Sequence, residues 1–288
     1  MIQLVVTDLD GKIWDADLSI PEAHLVAAET LMQAGVTVLA ATSRRPRVVR
    51  RQLAAAGFPL PAVLLDGALG IDFRSNDRFH RAIFDPEVTL RALVTLQAFG
   101  LHPCLYVEHP DFDIVVSESP STCAEHLAYL GSMAATDDLE TMAATTDVYA
   151  MSILGRSRER LGEAAKALMG IGEVLLYPEP DYGQFGLIVN PRGISKWSGV
   201  LAYCRLHDIE SGQVLAVGDG LNDVPMLKQA GLAVGVRGGV PEATSICEHM
   251  IEPPELGGWS KIVDLVEASL TSEVSRASLH ERCAAPRE

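Results

Sequence analysis

Two short apolar segments, each leading into an aspartate beside a glycine, constrain the fold of this chain more than any other feature. The first, Ile2–Thr7, precedes Asp8 and Asp10, and the second, Val214–Val217, precedes Asp219. Short uninterrupted apolar runs are typical of parallel strands that are buried on both faces. In parallel α/β sheets, ligands bind outside the carboxyl ends of the strands. We therefore expect the two acidic segments to lie at one edge of one sheet.

Alternating strands and helices continue on both sides of a long middle region. Ser19 and Glu22 resemble a capping box, which predicts a helix that ends near Ala34. The other predicted strands are Val36–Ala41, Ala62–Leu65 and Leu232–Val236, and the other predicted helices are Pro46–Ala56, Ser195–Leu206 with Ser195 as its N-cap, Val224–Ala230 and Lys261–Leu270. Together they predict the α/β class, with a Rossmann-like parallel-sheet core formed by residues 1–81 and 191–270.

The middle region, residues 82–190, has a different character. Residues 102–117 alternate around a Pro-Asp-Phe turn, which is typical of a hairpin. The other predicted elements are strands at Asp147–Leu154, Val174–Tyr177 and Leu187–Val189, and helices at 86–99, 120–131 and 157–169. Because strands occur here in hairpins as well as around helices, we expect a smaller inserted α+β domain with a largely antiparallel sheet. Residues 271–288 are polar and terminal, which predicts a poorly ordered tail.

The net charge of the chain limits the kinds of molecule that it is expected to bind. The 288 residues include 23 basic and 38 acidic side chains, so the net charge is −15. That balance disfavours nucleic acid and anionic membranes as partners. No apolar run is long enough to cross a bilayer, and Asp8 comes before a signal-peptide core could form, so we expect a cytoplasmic protein. The five cysteines are scattered and form no CxxC pair, which argues against a disulfide framework or a zinc site.

Asp8 and Asp10 are the first candidates for chemistry. Two carboxylates one residue apart, on a turn eased by Gly11, can converge on one hard cation or one phosphorus atom. Chemistry at phosphorus would need one carboxylate as nucleophile and another as general acid for the leaving group. The alternative is an ordinary solvated turn, since Asp-x-Asp-Gly is common in loops.

Thr42, Ser43 and Arg44 follow the second predicted strand and precede the helix that begins at Pro46. Hydroxyl groups beside the N–H groups of a helix N-terminus suit a phosphate or an oxyanion, although N-capping by either hydroxyl explains the pattern equally well. Five arginines lie within residues 44–51. We take Arg44 as a site residue and most of the others as a solvated helix face.

Lys196 and the segment 218–223 complete the candidate set. Lys196 lies in the first turn of a predicted helix, where a cation opposes the helix dipole. An ordinary surface lysine is the alternative. Asp219, together with Asp223, could complete an oxygen cage for Mg²⁺, which favours a few carboxylates plus water and substrate phosphate. The alternative there is that Asn222 or Asp223 caps the next helix without any metal.

Together and in this order, these segments resemble the four motifs of the haloacid dehalogenase superfamily of phosphohydrolases. The four segments are Asp8–Gly11, Thr42–Arg44, Lys196 and Gly218–Asp223. The run GDGLNDVPML is especially similar to the Cof-type branch, which includes sucrose-phosphatase and mannosyl-3-phosphoglycerate-phosphatase relatives. That branch carries a large α/β cap domain between the second and third motifs, which corresponds to residues 82–190. The resemblance covers about residues 1–270.

The resemblance implies a Mg²⁺-dependent phosphatase whose partner is a small phosphorylated metabolite, either a sugar phosphate or a sugar-acid conjugate. Asp8 would attack phosphorus and form an aspartyl-phosphate. Asp10 would protonate the leaving alcohol and then deprotonate the hydrolytic water. The substrate-binding residues would be Thr42, Ser43, Arg44, Lys196 and Asn222, and the metal site would comprise Asp8, the backbone carbonyl of Asp10, Asp219 and Asp223. A monomer and a dimer formed through the cap both remain open.

Three positions depart from the family pattern. Lys12 stands where threonine is usual and adds a charge near the mouth of the site, Ser43 replaces a glycine that contacts phosphate, and Asp66 replaces an asparagine. None removes a residue of the chemical step, so an active phosphatase is the preferred hypothesis. The alternatives are a sugar phosphomutase, which would return the phosphoryl group to a sugar hydroxyl, and a phosphometabolite-binding protein with weak catalysis.

Overall fold

The computed structural model describes residues 1–179 and 182–269, which are organised around two β-sheets. The strands are β1 Leu4–Thr7, β2 Thr37–Ala41, β3 Pro61–Leu64, β4 Leu69–Asp72, β5 Asp77–Arg81, β6 Cys104–Val107, β7 Ile114–Val116, β8 Ala134–Thr136, β9 Val148–Arg156, β10 Glu173–Glu179, β11 Gln184–Asn190, β12 Val214–Gly218, β13 Leu232–Val236 and β14 His249–Ile251.

The larger sheet has the strand order β14-β13-β12-β1-β2-β3-β4-β5. Its strands are parallel from β14 to β3, and β4 and β5 extend it in antiparallel pairings. The smaller sheet has the order β10-β11-β9-β6-β7-β8 and is antiparallel except for the parallel pair β7–β8. The α/β class and the mixed, largely antiparallel second sheet are therefore confirmed.

Helices pack against both faces of the larger sheet and both faces of the smaller one. They are α1 Glu22–Gln33, α2 Pro46–Ala55, α3 Pro86–Ala98, α4 Ala124–Leu130, α5 Leu139–Thr145, α6 Arg158–Leu168, α7 Lys196–Leu206, α8 Val224–Gln229, α9 Pro241–Thr244 and α10 at residues 262–269. Two 3₁₀ turns, Leu65–Gly67 and Leu221–Asp223, lie next to the candidate site. No helix within the described ranges is both long enough and apolar enough to span a membrane.

The strand β1 is buried on both faces, as its apolar sequence predicts. Successive side chains of a strand point to opposite faces, and accordingly Val5 packs in one core cluster with Leu31 while Leu4 and Val6 pack in another with Val200. This central position holds the end of β1 rigidly, which matters because the next residue is Asp8.

The structure differs from the sequence prediction at several elements. The capping box at Ser19 does not form, because the Ser19 hydroxyl bonds Asp15 and Pro21 is the N-cap of α1 without a side-chain bond. The strands β4, β5, β8 and β14 and the helices α5 and α9 were not predicted, since these segments are short and tertiary contacts decide their conformation. The domain boundaries at residues 82 and 190 stay a prediction, and the predicted tail, residues 271–288, lies outside the described residues.

Candidate active site

The carboxyl ends of three neighbouring strands form the base of the candidate site. The strand β1 pairs in parallel with both β2 and β12, so Thr7 lies level with Ala40 on one side and with Val217 on the other. The chain leaves these strands at the same edge of the sheet, and the residues that follow are Asp8, Thr42 and Asp219. Sheet topology thus brings together segments that are far apart in sequence.

Asp8 is buried between two lysine ammonium groups. Its Oδ1 lies 3.0 Å from Lys196 Nζ, and its Oδ2 lies 2.9 Å from Lys12 Nζ. Burial by itself would raise the pKa of Asp8, but the two positive charges hold that pKa well below the usual range of an aspartic acid. Asp8 is therefore ionised at neutral pH, which is the state that a carboxylate nucleophile requires.

Lys12 contacts three oxygen atoms at the centre of the site. Its Nζ lies 2.8 Å from the backbone oxygen of Asp10 and 2.9 Å from Asp8 Oδ2, and it forms a short ion pair with Asp219 Oδ1. Burial would lower the pKa of Lys12, but Asp8 and the other carboxylates hold that pKa above the usual range of a lysine. Sequence reasoning placed this charge near the mouth of the site. Its unusual position after Gly11 was the only sequence signal, and it did not predict burial.

Lys196 begins α7 and is fully buried, so it is not an ordinary surface lysine. Ser195 caps the helix through a reciprocal bond pair with Ser198, as the sequence predicts for the N-cap. The Lys196 ammonium lies 2.7 Å from Asp223 Oδ1 and 3.0 Å from Asp8 Oδ1. Burial would lower the pKa of Lys196, but Asp223 and Asp8 raise that pKa above its usual range. A permanent positive charge therefore lies beside Asp8.

Asp223 organises the loop that carries Asp219. Its Oδ2 accepts hydrogen bonds from the backbone N–H groups of Asp219, at 2.8 Å, and Gly220, at 2.9 Å. A side chain at Gly218 would not fit, since a Cβ there would lie 2.6 Å from the Asp223 carboxyl carbon. Both carboxylate oxygens of Asp223 thus have partners. In Asp219, burial raises the pKa of the carboxyl, and the positive charge of Lys12 opposes that rise.

Asp10 is paired with Arg44 at the edge of the cavity. The Arg44 Nε lies 3.0 Å from Oδ1 and 2.8 Å from Oδ2 of Asp10, and Nη2 lies 2.8 Å from Oδ1. The two side chains belong to the first and second motifs. A guanidinium so placed can bind a carboxylate or a phosphoryl group in the same way.

Thr42 and Ser43 occupy different environments. Thr42 is fully buried, and its Oγ1 accepts a hydrogen bond from the backbone N–H of Arg44 at 3.1 Å. Ser43 is exposed and lines the cavity. The backbone φ of Ser43 is not positive. Serine in place of the family's usual glycine therefore causes no left-handed backbone strain here. Neither residue is a side-chain N-cap of α2, whose N-cap is Arg45.

Asn222 is oriented by Asp66, the aspartate that stands where the family usually has asparagine. The Asn222 amide donates a hydrogen bond of 2.9 Å to Asp66 Oδ1. Asp66 is buried and has a left-handed backbone with φ of 52°, in the 3₁₀ turn after β3. Burial raises the pKa of Asp66, with Lys196 and Asn222 opposing the rise. Sequence reasoning noted Asp66 as a departure but did not predict this contact.

Arg45 is the buried member of the arginine run, while Arg47, Arg50 and Arg51 are exposed, as expected for a mostly solvated helix face. Its side chain is 6% exposed, and its Nη1 forms an ion pair of 2.5 Å with Asp113, which precedes β7 of the smaller sheet. Arg47 also reaches across, donating a hydrogen bond of 2.6 Å to the Pro110 carbonyl oxygen. Arg45 and Asp113 are 68 residues apart in the chain, so no local sequence pattern could predict their pairing.

A cavity of about 720 Å³ opens above these groups, and its walls come from the loops that follow strands of the larger sheet and from residues of the smaller sheet. Its lining from the smaller sheet and its helices is rich in rings: Tyr106, His126, Tyr129, Tyr177 and Tyr182. His126 packs against Tyr182 with ring centroids 5.4 Å apart. Burial lowers the pKa of His126 to about 4, so its ring is neutral at pH 7. The acidic and basic residues thus face an aromatic wall.

The acidic residues have the chemistry of a divalent-cation site. Asp8, Asp219 and Asp223 each offer a carboxylate oxygen, and these oxygens lie within 4.8 Å of one another. Carboxylate and carbonyl oxygens are the ligands that hard divalent cations prefer. The donor set therefore fits such an ion, and the Lys12 ammonium contacts one carboxylate oxygen of Asp8 and one of Asp219.

Comparison with known proteins assigns the chain to a family. The profile of the haloacid dehalogenase-like hydrolases matches residues 5–262 of the chain. The chain belongs to this family. The haloacid dehalogenase-like chain is 25% identical over 263 residues to the Bacillus subtilis (strain 168) protein named "Putative phosphatase YkrA", covering 89% of this chain and 94% of that protein.

Solved structures share the fold of this haloacid dehalogenase-like enzyme. The subclass IIB sugar phosphatase BT4131 superposes with a TM-score of 0.74 at 19% identity, covering 92% of this chain and 99% of that chain. A haloacid dehalogenase-like hydrolase from B. subtilis superposes with a TM-score of 0.78 at 17% identity, covering 91% and 99%. The family and its phosphatase members establish a phosphatase, and the structural likeness adds the shared fold.

Proposed function

We propose that this enzyme is a Mg²⁺-dependent phosphatase of a small phosphorylated metabolite, most suitably a sugar phosphate or a sugar-acid conjugate. The observation that carries the proposal is the position of Asp8, an ionised carboxylate between two ammonium groups below an aromatic-walled cavity. A nucleophile set among cations can approach a phosphate dianion, whereas the net charge of −15 would otherwise repel it.

Asp8 supplies the nucleophile and Asp10 moves the proton. One Asp8 oxygen forms a bond to phosphorus while the bond from phosphorus to the substrate oxygen breaks. Asp10, once it carries a proton, gives it to the leaving oxygen and then takes one from the water that attacks the aspartyl-phosphate. Inorganic phosphate leaves, and Asp8 is restored. Because both Asp10 oxygens accept bonds from Arg44, the proposal requires Arg44 to turn towards the phosphoryl group when substrate binds.

The remaining motif residues bind and orient the phosphoryl group. Lys196 places a permanent positive charge beside the attacking carboxylate, Ser43 lines the cavity, and Arg44 offers a planar guanidinium. Thr42 supports the loop through the Arg44 backbone, and Asn222 is oriented by Asp66. Phosphoryl transfer depends mainly on such positioning and charge neutralisation.

Mg²⁺ would be held by Asp8, the Asp10 backbone carbonyl and Asp219, whose oxygens meet at the Lys12 ammonium, with Asp223 holding the loop. When bound, the ion would neutralise charge on the phosphoryl oxygens. Asp223 supports the site through the Asp219 and Gly220 amides and through Lys196, since both of its oxygens have those partners.

The cavity wall favours a substrate with a compact polar ring. Tyrosines present an apolar face and a hydroxyl handle, and binding pockets combine apolar walls with a few polar groups that fix orientation. Tyr106, Tyr177 and Tyr182 line the same cavity as the proposed phosphate-binding residues Ser43 and Arg44. A sugar ring attached to the phosphoryl group offers both C–H faces and hydroxyls to such a wall.

The proposal is tested by phosphate release from a panel of sugar phosphates and phosphoglycerate conjugates, with Mg²⁺ and with EDTA. Asp8→Asn should abolish turnover with the fold intact, while Asp264→Asn, a surface control 69% exposed at its side chain, should leave it unchanged. Retained activity in Asp8→Asn would refute the nucleophile assignment. Analysis of the organic product separates the phosphomutase alternative, which yields an isomer without inorganic phosphate.

A further inference from the structure

Lys12 lies where the acidic residues converge. Its ammonium lies 2.9 Å from Asp8 Oδ2 and 2.8 Å from the Asp10 carbonyl oxygen, and it also contacts Asp219 Oδ1. These three residues are the ones proposed above to hold Mg²⁺. A metal ion bound to the same oxygens would require the space that the ammonium nitrogen fills. The two cations therefore exclude each other.

We propose that Lys12 is an internal competitor for the divalent-cation site, so that its ammonium fills the site in the metal-free enzyme and must leave before Mg²⁺ binds. This inference rests on the cation site of the proposed function, and it is independent of the identity of the substrate.

The charges in the site support exchange of the two cations and oppose their joint binding. The acidic cluster contributes three negative charges, from Asp8, Asp219 and Asp223, against two positive charges from Lys12 and Lys196. A divalent ion added beside Lys12 would give four positive charges against three. If the ion replaces the Lys12 ammonium, three positive charges stand against three negative charges. Like charges at such short range repel strongly where water is excluded, so exchange is the favourable route.

Lys12 is an effective competitor because the short stretch of chain between it and Asp8 holds its ammonium near the site. It lies four residues after Asp8 on the same turn, and a group held by a short tether competes at a high effective concentration. The residue also lines the 720 Å³ cavity, which provides space for the displaced ammonium. A protein with threonine at this position, as is usual for the family, has no such competitor.

Mn²⁺ binding measured by electron paramagnetic resonance on the metal-stripped full chain tests the proposal without any substrate. We compare the unmodified protein with Lys12→Thr and Lys12→Met, and use Lys166→Met, an exposed lysine on α6, as the matched control. Both Lys12 variants should bind Mn²⁺ at least tenfold more tightly than the unmodified protein, and the control should match the unmodified protein. Equal affinity in the unmodified protein and both Lys12 variants would overturn the proposal.

A labelling experiment on the unmodified protein guards against misfolded variants. Acetic anhydride modifies accessible lysine amines, and mass spectrometry reports the extent at Lys12. Lys12 should be protected without metal and become reactive with saturating Mn²⁺, while Lys166 is unchanged. Protection that persists with bound Mn²⁺ would overturn the proposal. If no protein in the series binds Mn²⁺, the cation site and this inference both fail, and Asp8-dependent phosphate release tells separately whether the phosphatase assignment stands.

Discussion

Lys196 Nζ lies 2.7 Å from Asp223 Oδ1, and neither side chain has any exposed surface. The pair joins the start of α7 to the loop after β12, and the same ammonium also reaches Asp8. One buried cation thus connects the proposed nucleophile to the loop that carries Asp219. Removing it would leave two buried carboxylates, those of Asp8 and Asp223, with less compensating positive charge.

We expect Lys196→Met to reduce both stability and turnover. Removing one partner of a buried ion pair costs about 3–5 kcal/mol, and loss of a charge that stabilises the transition state reduces kcat by about 10²–10³-fold. Denaturant unfolding and phosphate release measure the two effects. Lys166→Met is the matched control and should change neither. Unchanged turnover in Lys196→Met would contradict the proposed role of Lys196.

Arg45→Met tests the buried ion pair between the two sheets. It would leave Asp113 buried without its cation, and Asp113 Oδ2 already has no hydrogen-bond partner among the described residues. We expect a loss of about 3–5 kcal/mol in the free energy of unfolding, and a change within about 0.5 kcal/mol for the more exposed Arg47→Met. The double variant Arg45→Met with Asp113→Leu should recover most of the loss, because it removes the stranded charge. No recovery would show that Arg45 acts mainly through packing.

Asp66→Asn should stabilise the protein in a pH-dependent manner. Burial raises the pKa of Asp66 in the folded state, so the folded protein binds the proton more tightly than the unfolded chain. The contribution of Asp66 is therefore most favourable below the unfolded pKa of about 3.9, and it declines as the pH rises through the folded pKa. Asparagine does not titrate and keeps an oxygen for Asn222.

The advantage of Asp66→Asn should accordingly be larger at pH 8 than at pH 4. Urea unfolding at several pH values measures it, with Asp264→Asn, a surface replacement, as the control. An advantage that is independent of pH, or larger in acid, would contradict the direction assigned to the Asp66 pKa.

Tyr182→Ala should weaken binding of ring-bearing substrates more than it slows the chemical step. Tyr182 lines the cavity and packs against His126. Loss of a contact made equally in the ground and transition states raises KM while kcat stays constant, and we expect about a tenfold rise, equivalent to about 1.4 kcal/mol. Acetyl phosphate lacks a ring to reach this wall, so its KM should not change. An equal rise for both substrates would argue against a specificity role.

Much of the fold is a local property of this sequence. The apolar run of β1, the Ser195 cap of α7 and the hairpin between β6 and β7 each follow from residues that lie close together in the chain. The motif residues could also be singled out, because acidic and hydroxyl residues at strand ends stand out against apolar neighbours. Local pattern was insufficient for β5, where exposed and half-buried residues form a strand through pairing with β4.

What the sequence determined by itself is the order of strands and helices and the residue types at the strand ends, since both are encoded in short-range periodicity. Tertiary structure alone decided what those residues contact. The burial of Lys12 among three oxygens, the Arg45–Asp113 pair and the Asn222–Asp66 hydrogen bond arise where the loops and the two sheets meet. Their energies depend on distance and on exclusion of water, and neither quantity is set by position along the chain.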